Sequence, residues 1–425
     1  MTTTNRDAIA APAEGLQIYN ETTNKSDIYI DGVWKSFAFS TTSVSNLVYV
    51  YSLADLPPVT TGIVLDPTKM YVFSGVVNIG SNFININGAG LRGTDPQKDM
   101  ILSNVSGAVL RSTNKSIFIQ DLAIALNGAS TKAFDVSDSS GLHYFNSFSG
   151  SSVVDIVPSL GVGQISGFKA ITVLKNFWKV KDGVKITGNV GKFTSALNFV
   201  EGITGGGSAI EFLSGVTILD IDLSNNYFIY TGGIGIKVNN GAIIDRGRMT
   251  TNMFRDVTTP LSGIDSYSTG WSMSQNTNIP DSRAYGFVYF NGNSTVTTLP
   301  TQNFYTKILG TTTLASQKRF ESTVTNQLTY KDKEPITAKI SVVISAKANE
   351  SGSQYSIGIR KNNEALLSGP VASMASTANN QSFQIILNSE IDLVFNDFIS
   401  VFISRTNGST NNTITVSELQ FRVTD

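Results

Sequence analysis

Five neighbouring segments in the middle of the chain decide the fold, and they are Ser208-Ala-Ile-Glu-Phe-Leu213, Thr217-Ile-Leu-Asp-Ile-Asp-Leu223, Ser224-Asn-Asn-Tyr-Phe-Ile-Tyr230, Gly233-Ile-Gly-Ile-Lys-Val238 and Ala242-Ile-Ile-Asp245. Each is a short run of β-branched or aromatic residues bounded by Gly, Asn or Ser. No stripe of apolar residues at helical spacing interrupts the series. Short strands with tight turns, repeated without helices, predict a chain that coils as a right-handed parallel β-helix.

Alternation within the second segment predicts which side chains face the interior of the coil. Leu219, Ile221 and Leu223 are expected to point one way, because successive side chains lie on opposite faces of a strand. Asp220 and Asp222 are expected to point the other way. Each coil buries its inward side chains only against neighbouring coils, so the pattern must continue over many turns.

Similar segments extend in both directions and define a predicted β-helical shaft over residues 50–270. The shaft follows a linker-like stretch that contains Pro57-Pro58. Over residues 271–425 the candidate strands and the turns between them become longer. Roughly eight to ten such strands predict an antiparallel jelly-roll sandwich. Residues 1–49 are predicted to form a small N-terminal β module and linker, with a hairpin at Asp31-Gly32.

Composition narrows the possible functions. Only 15% of the 425 residues are charged and the formal net charge is −1, so neither a nucleic-acid partner nor an anionic membrane surface is predicted. The chain has no cysteine and one histidine, His143, which excludes disulfides and thiolate zinc sites and leaves no predicted metal site or cofactor. No apolar run reaches the ~18 residues of a membrane span, and the first residues lack the pattern of a signal peptide.

The N-terminal stretch Gly15-Leu-Gln-Ile-Tyr-Asn-Glu-Thr-Thr-Asn-Lys25, with Asp31-Gly32 and Trp34, resembles a short module that recurs in fibre and baseplate proteins of tailed phages. So small a unit needs a partner surface for stability. The resemblance implies that this module docks onto other virion proteins.

Two further resemblances concern the larger regions. Residues 71–93 resemble the first rungs of pectate-lyase-like and phage-spike β-helices. Residues 320–423 resemble the jelly-roll domain of the tumour-necrosis-factor and C1q type, through the turn Lys361-Asn-Asn-Glu364 and the late strand Asp397-Phe-Ile-Ser-Val401. Phage fibres also carry that domain at their tips. The resemblance implies a homotrimer.

Three carboxylates are candidate catalytic residues for polysaccharide cleavage. Asp220 and Asp222 lie about 6.5–7 Å apart along one strand face, and Glu211 could lie on a neighbouring rung. Paired carboxylates at such a separation suit glycoside hydrolysis, in which an acid and a base flank the scissile bond. The alternative is that these groups only keep the outside of the coil soluble, and we favour that alternative, so no catalytic residue is assigned.

Three aromatic residues, Trp271, Tyr285 and Tyr289, lie near the junction of the two large regions and are candidates for stacking on sugar rings. The alternative is that they close the end of the shaft, where strand edges would otherwise be open.

The sequence therefore predicts a fibre or spike on the virion surface, mounted on the tail or on the capsid. Its head region is expected to bind a host surface glycan or protein, with avidity from several copies. One alternative is a spike that degrades polysaccharide as a glycoside hydrolase or lyase. Another is a capsid decoration protein without a receptor.

Overall fold

The computed structural model describes residues 1–37 and 46–425. Two units are distinct, residues Met1–Val48 and Tyr49–Asp425. The first contains a short helix and an antiparallel sheet, with the elements α1 (Thr3–Asp7), β1 (Gln17–Asn20), β2 (Lys25–Ile30) and β3 (Val33–Phe37). The hairpin at Asp31-Gly32 is confirmed: both residues have positive φ, +54° and +76°, and Ile30 pairs with Val33.

A buried carboxylate holds the first unit together. Asp27 is fully buried and accepts hydrogen bonds from Arg6 Nη1 at 2.8 Å, Asn20 Nδ2 at 2.9 Å and Ser36 Oγ at 2.5 Å. The Ser36 hydroxyl is the largest cause that lowers the pKa of Asp27, and Asn20 and Arg6 add to it against the effect of burial. In this small unit, a buried polar network therefore contributes much of the stability that a hydrophobic core provides in larger domains.

The second unit begins with a long series of short strands that form a parallel solenoid of about nine turns. A single 3-10 turn, Leu53–Asp55, interrupts the start of the series. The strands are β4 (Leu47–Val50), β5 (Ile63–Val64), β6 (Met70–Phe73), β7 (Val76–Gly80), β8 (Ile84–Asn85), β9 (Gly90–Arg92), β10 (Met100–Ser103), β11 (Gly107–Thr113), β12 (Ile117–Gln120), β13 (Ala123–Leu126), β14 (Thr131–Ser137), β15 (Tyr144–Ser149), β16 (Ser152–Asp155), β17 (Gly163–Ser166), β18 (Ala170–Leu174), β19 (Phe177–Lys179), β20 (Val184–Thr187), β21 (Asn189–Ala196), β22 (Phe199–Glu201), β23 (Ser208–Phe212), β24 (Thr217–Ser224), β25 (Tyr227–Val238), β26 (Ile243–Thr250), β27 (Met253–Ser262) and β28 (Trp271–Ser274).

Each turn of the solenoid contributes one strand to each of three parallel faces. Sheet I contains β4, β6, β9, β12, β15, β18, β21, β24, β26 and β28; sheet II contains β7, β10, β13, β16, β19 and β22; and sheet III contains β5, β8, β11, β14, β17, β20 and β23. The long strands β25 and β27 run through both sheet II and sheet III, so these two faces merge at that end. Parallel register stacks equivalent residues in columns, which produces a continuous apolar interior.

Aromatic side chains fill part of this interior. Phe134, Phe145, Phe148 and Phe168 are fully buried and contact one another edge to face, with ring centroids 5.0 to 6.4 Å apart. Burying a side chain of this size stabilises the fold by roughly 1.5–3 kcal/mol. These rings come from different faces of the coil and meet in its interior.

An inner ladder of asparagines runs through the last five rungs, at the bend between sheet I and sheet II. Each Nδ2 donates to the Oδ1 of the next asparagine at 2.8 to 3.0 Å, and the members, spaced by 22, 28, 26 and 24 residues, are Asn176, Asn198, Asn226, Asn252 and Asn276. Each Nδ2 also donates to a main-chain carbonyl of sheet I. The ladder therefore satisfies polar groups at a buried corner where the main chain changes direction.

The residue before each ladder asparagine has a left-handed backbone. Its φ lies between 53° and 57° at Lys175, Leu197, Asn225, Thr251 and Gln275. Such a conformation costs roughly 1–2 kcal/mol in a residue other than glycine. Each bend consists of this left-handed residue and the ladder asparagine that follows it. The hydrogen bonds of the asparagine hold the strained residue in place.

The second part of this unit is an antiparallel sandwich, formed by β29 (Tyr285–Asn291), β30 (Val296–Thr298), β31 (Thr306–Lys307), β32 (Thr313–Lys318), β33 (Phe320–Glu321), β34 (Gln327–Tyr330), β35 (Ile336–Ala348), β36 (Gln354–Lys361), β37 (Ala372–Ala375), β38 (Ser382–Leu393), β39 (Phe398–Arg405) and β40 (Thr413–Thr424). One sheet has the order β32-β29-β40-β35-β38 and the other β33-β34-β39-β36-β37. From β35 onward, β35, β38 and β40 lie in the first sheet and β36, β37 and β39 in the second. This two-sheet arrangement with long-range antiparallel pairing fits a jelly roll.

A buried ion pair ties the sandwich to the last rung of the solenoid. Arg319 Nη1 lies 2.8 Å from Asp332 Oδ2, and both side chains are buried. Asp332 Oδ1 also accepts from the main-chain N–H of Gly270 at 3.1 Å, while Arg319 donates to the carbonyls of Ser266 and Trp271. Lys333 adds an exposed ion pair with Asp245 at 2.9 Å.

The predicted fold class is confirmed, with local differences. Leu219 was expected to face the interior with Ile221 and Leu223, but it is 62% exposed, and Ile218 is buried in its place. Leu219 and Asp220 both lie outside where the strand turns a corner of the coil, and inward alternation resumes at Ile221. The segments on either side of Gly232 are one continuous strand, β25. Among the described residues, no helix is long and apolar enough to cross a membrane.

Candidate functional site

Asp220 and Asp222 lie on the outer surface of sheet I, and each is paired with a cation on a neighbouring rung. Asp220 accepts from Arg246 at 3.1 Å and lies 3.5 Å from Lys192, while Asp222 accepts from Arg248 at 3.0 Å. The arrangement is that of a charge ladder that stabilises adjacent rungs.

Glu211 lies on β23 in sheet III, a different face of the solenoid from the two aspartates. Burial raises the pKa of Glu211, but hydrogen bonds from Asn239 and Lys237, both at 2.8 Å, outweigh it, and the net pKa is lowered. The structure therefore does not bring the three carboxylates that the sequence offered for hydrolysis onto one surface.

The three aromatic candidates near the junction have different environments. Trp271 is only 3% exposed and packs on Gly247 in the rung below, so its ring closes the end of the solenoid and is not available to a ligand. Tyr285 and Tyr289 lie half-buried on the outer face of β29 in the sandwich, with Phe287 between them. The ring centroids of Phe287 and Tyr289 are 5.8 Å apart, and Arg422 lies over Phe287.

A different set of aromatic side chains forms an exposed column on sheet II. Phe177, Phe199, Tyr227 and Met253 occupy equivalent positions on four successive rungs. The centroids of Phe177 and Phe199 are 6.2 Å apart, and those of Phe199 and Tyr227 are 5.8 Å apart with the rings 21° from parallel. Phe177, Tyr227 and Met253 are each 37–38% exposed. We call these four side chains the outer column.

The inner ladder fixes the outer column. Every member of the column directly follows a ladder asparagine, and the next residue in the chain points inward: Trp178, Val200, Phe228 and Phe254 are all buried. Because the asparagine and the inward neighbour are both held by the interior, the exposed side chain between them is fixed in position on a rigid strand. Rigid placement lowers the entropy lost when a ligand binds.

A loop forms a wall at one end of the outer column. Residues 93–99 join β9 to β10 and lie over sheet II, where the carbonyl of Pro96 accepts from Ser152 Oγ at 3.4 Å. The carboxylate of Asp99 holds the loop by accepting from the N–H groups of Thr94, Asp95 and Gly75. Burial raises the pKa of Asp99, but these bonds and that from the Thr94 hydroxyl outweigh it and lower the pKa to about 2.

Two cavities flank the first ring of the column. One has a volume of about 420 Å³ and lies between the wall and Phe177, with Met100, Ser152 and Lys175 in its lining. The other has a volume of about 340 Å³ and is lined by residues 155–158, Lys179 and Lys181. Both volumes are in the range of small-ligand sites. Phe177 lines the first cavity, and Lys179 on the same strand lines the second, so the cavities lie toward opposite ends of β19. We call the two cavities and Phe177 the groove.

Sequence reasoning missed the outer column, although a signal was present. An asparagine followed by an aromatic residue occurs on three successive rungs, as Asn176-Phe177, Asn198-Phe199 and Asn226-Tyr227. The spacing of 22 and then 28 residues hides the repeat from any search for a fixed period.

Comparisons with known proteins give only distant matches. The sequence matches no protein-family model and no curated protein. Among solved structures, the chain is similar to the enzymatically active domain of tailspike protein 2 of bacteriophage CBA120, with 11% identity and a TM-score of 0.29, over 98% of this chain and 88% of that one. The tailspike protein of Acinetobacter baumannii phage AM24 matches with 11% identity and a TM-score of 0.29, over 89% of this chain and 78% of that one.

A third solved structure is similar to part of the chain. It is the tumour-necrosis-factor protein Eiger from S. frugiperda, with 12% identity and a TM-score of 0.25, and the match covers 33% of this chain and 92% of that one.

Proposed function

We propose that this protein is a fibre or spike of a tailed-phage particle and that it binds a polysaccharide of the host surface along sheet II. The N-terminal segment 15–34, which resembles a phage fibre and baseplate module, supports the placement on a virion. The parallel solenoid and the antiparallel sandwich are consistent with it. The outer column is the observation that carries the binding assignment.

The column offers what a sugar chain needs from a protein surface. An aromatic ring provides a flat apolar face, and the C–H face of a pyranose ring packs on it without losing the hydrogen bonds of its hydroxyl groups. Three rings on successive rungs repeat along one line, as sugar units repeat along a polysaccharide. The flanking cavities add depth on either side of Phe177.

Binding without cleavage is the form of this function that the side chains support. The aspartates that suggested hydrolysis, Asp220 and Asp222, lie on sheet I and are engaged by Arg246 and Arg248. Both carboxylates are held in ion pairs with cations of the next rung, which is the arrangement of a structural charge ladder.

The test is binding of the purified protein to an array of bacterial capsular and O-chain polysaccharides. Phe199→Ala removes the central ring of the column and is expected to weaken binding by about tenfold, because an aromatic contact contributes roughly 0.5–1.5 kcal/mol beyond its buried area. Leu219→Ala is the control, since Leu219 is an exposed apolar side chain on sheet I, a different face of the solenoid.

Three results would count against the proposal. Equal loss of binding in both variants, or in neither, would remove the outer column from the site. Release of new reducing ends from a bound polysaccharide would favour the degrading spike. Failure to bind any polysaccharide or host cell would favour a decoration protein without a receptor.

We also propose that three copies associate through the sandwich, as the resemblance to tumour-necrosis-factor domains implies. The outer face of β29 supports this: Tyr285, Phe287 and Tyr289 form a half-buried aromatic row, and Ile386 on β38 of the same sheet is 58% exposed. Light scattering should then give three times the chain mass of 45.6 kDa. The single chain mass would refute the trimer.

A further inference from the structure

Three lysines surround the first ring of the outer column. Lys175, Lys179 and Lys181 are all exposed, and they lie within seven residues of one another on either side of Phe177. Lys179 points outward from the same strand as Phe177, two residues further along and therefore about 6.5–7 Å away. Among the described residues, no carboxylate lies within ion-pair distance of these three ammonium groups.

Most other cations of the solenoid are neutralised by a neighbour. On sheet I, Asp220 lies between Lys192 and Arg246, and Asp222 pairs with Arg248. On sheet III, Lys237 lies 2.8 Å from Glu211, and Lys185 lies 2.7 Å from Asp182. Rung stacking makes such pairing easy, because a carboxylate one rung away is already close. The group around Phe177 departs from this rule and carries uncompensated positive charge.

The unpaired lysines line the cavities of the groove. Lys175 lines the cavity beside the wall, and Lys179 and Lys181 line the cavity on the other side of Phe177. The second cavity has an apolar side formed by Ile156, Val157 and Pro158. An apolar wall lowers the local dielectric constant, which strengthens the attraction between these ammonium groups and an anion in the cavity.

The acidic groups nearby do not cancel this charge. Asp155 accepts hydrogen bonds from Ser159 Oγ at 2.5 Å and from the N–H of Lys181 at 2.9 Å, so it is occupied in holding its own loop. Glu201 lies beside Lys179 in register on the next rung but forms no ion pair with it. Asp155 and Glu201 together offset two of the three ammonium charges, so the site keeps a net charge of about +1.

We propose that the ligand of the groove is an acidic polysaccharide, whose sugar rings pack on the outer column and whose carboxylates bind Lys175, Lys179 and Lys181. The inference rests on the proposed function and adds its substrate class. A neutral glycan would use the rings but leave the lysines solvated. A carboxylated glycan makes charge-assisted hydrogen bonds in addition, which are roughly twice as strong as those between neutral groups.

Carboxyl reduction of the ligand gives the sharpest test. The best-binding acidic polysaccharide of the array is treated so that its carboxyl groups become hydroxymethyl groups, and both forms are titrated with the full-length protein. The native form is expected to bind at least tenfold more tightly. Raising the salt from 50 to 500 mM should weaken binding of the native form only, since salt screens the ionic contacts.

Variants separate charge from structure. Lys179→Gln and Lys181→Gln are each expected to weaken binding of the native polysaccharide by about fivefold, the upper range for a solvent-accessible ion pair. Binding of the reduced form should not change. Lys179→Arg should retain most of the affinity. Lys115→Gln is the matched control, because Lys115 is an exposed lysine without an ion pair in a turn before β12, outside the groove.

The outcomes distinguish this inference from the proposed function. Equal affinity for the native and reduced polysaccharides, with loss of binding in Phe199→Ala, would overturn the acidic ligand and keep the glycan-binding column. Loss of affinity in the Lys115 control as large as in the groove variants would also overturn it. Absence of binding to every polysaccharide would overturn both.

Discussion

The inner ladder and the outer column occupy the same rungs and are adjacent in sequence, yet they serve different purposes. Asn198, Asn226 and Asn252 are buried, and each makes hydrogen bonds to the rungs on either side. Phe199, Tyr227 and Met253 are one residue further along and face solvent. One row therefore holds the coil together, and the other is free to contact another molecule. Neighbouring residues of a solenoid strand face opposite sides, so one can stabilise the interior while the next is available to a ligand.

The largest effect that tests this comparison is expected in the inner ladder. Asn226→Ala removes an acceptor from Asn198 and Ser195 and a donor to Asn252 and the carbonyl of Ser195. Leaving such groups buried and unsatisfied should reduce the free energy of unfolding by about 3–5 kcal/mol. Chemical denaturation followed by circular dichroism measures it. Asn189→Ala, at an exposed position of β21, is the control and should change stability by less than about 0.5 kcal/mol.

The wall beside the outer column provides an intermediate case that depends on pH. Asp99 has its pKa lowered to about 2 in the folded state, against about 3.9 in an unfolded chain. Its contribution of about 2 kcal/mol is therefore fully present above about pH 4 and is lost as the pH falls toward 2. Asp99→Asn should be less stable than the wild type at pH 6, and the difference should shrink toward pH 2. A difference that is constant over this pH range would contradict the assignment.

A smaller loss of stability is expected in the outer column itself. Phe199→Ala removes two ring contacts on a half-exposed surface. We expect it to lower the free energy of unfolding by about 1 kcal/mol. The same denaturation measurement checks it. A loss as large as that of Asn226→Ala would mean that the column is part of the structural core and would remove the distinction between the two rows.

The smallest effect is expected on sheet I. Asp222→Asn breaks one exposed ion pair with Arg248, and such pairs contribute about 0–1 kcal/mol. Neither polysaccharide binding nor the number of reducing ends should change. Robust cleavage that Asp222→Asn abolishes would instead make sheet I a catalytic face.

The sequence was sufficient to predict the architecture because strands and turns are local signals. Alternation around Ile221 and the longer strands after residue 271 identified a solenoid and a sandwich. The two-residue bends could not be predicted, because the left-handed position accepts Lys, Leu, Asn, Thr or Gln. Only the asparagine that follows is constant, and its spacing varies between 22 and 28 residues.

The same irregular spacing explains why the sequence could not identify the ion-pair partners of the candidate carboxylates. Arg246 and Arg248 follow Asp220 and Asp222 by 26 residues, and no fixed repeat in the sequence identified them as neighbours. For Trp271 the sequence offered both sugar stacking and closure of the shaft end, and only the stacking of rungs shows that Gly247 makes room for its ring.

The outer column runs along the axis of the coil, and its four members span about 14 Å at a strand spacing of roughly 4.8 Å. The length of the column should determine how many sugar units contact the protein. Affinity for oligosaccharides should rise with each added unit until the chain reaches beyond Met253, and then level off. Because the wall lies at the Phe177 end of the column, we expect a longer polymer to leave the surface past Met253.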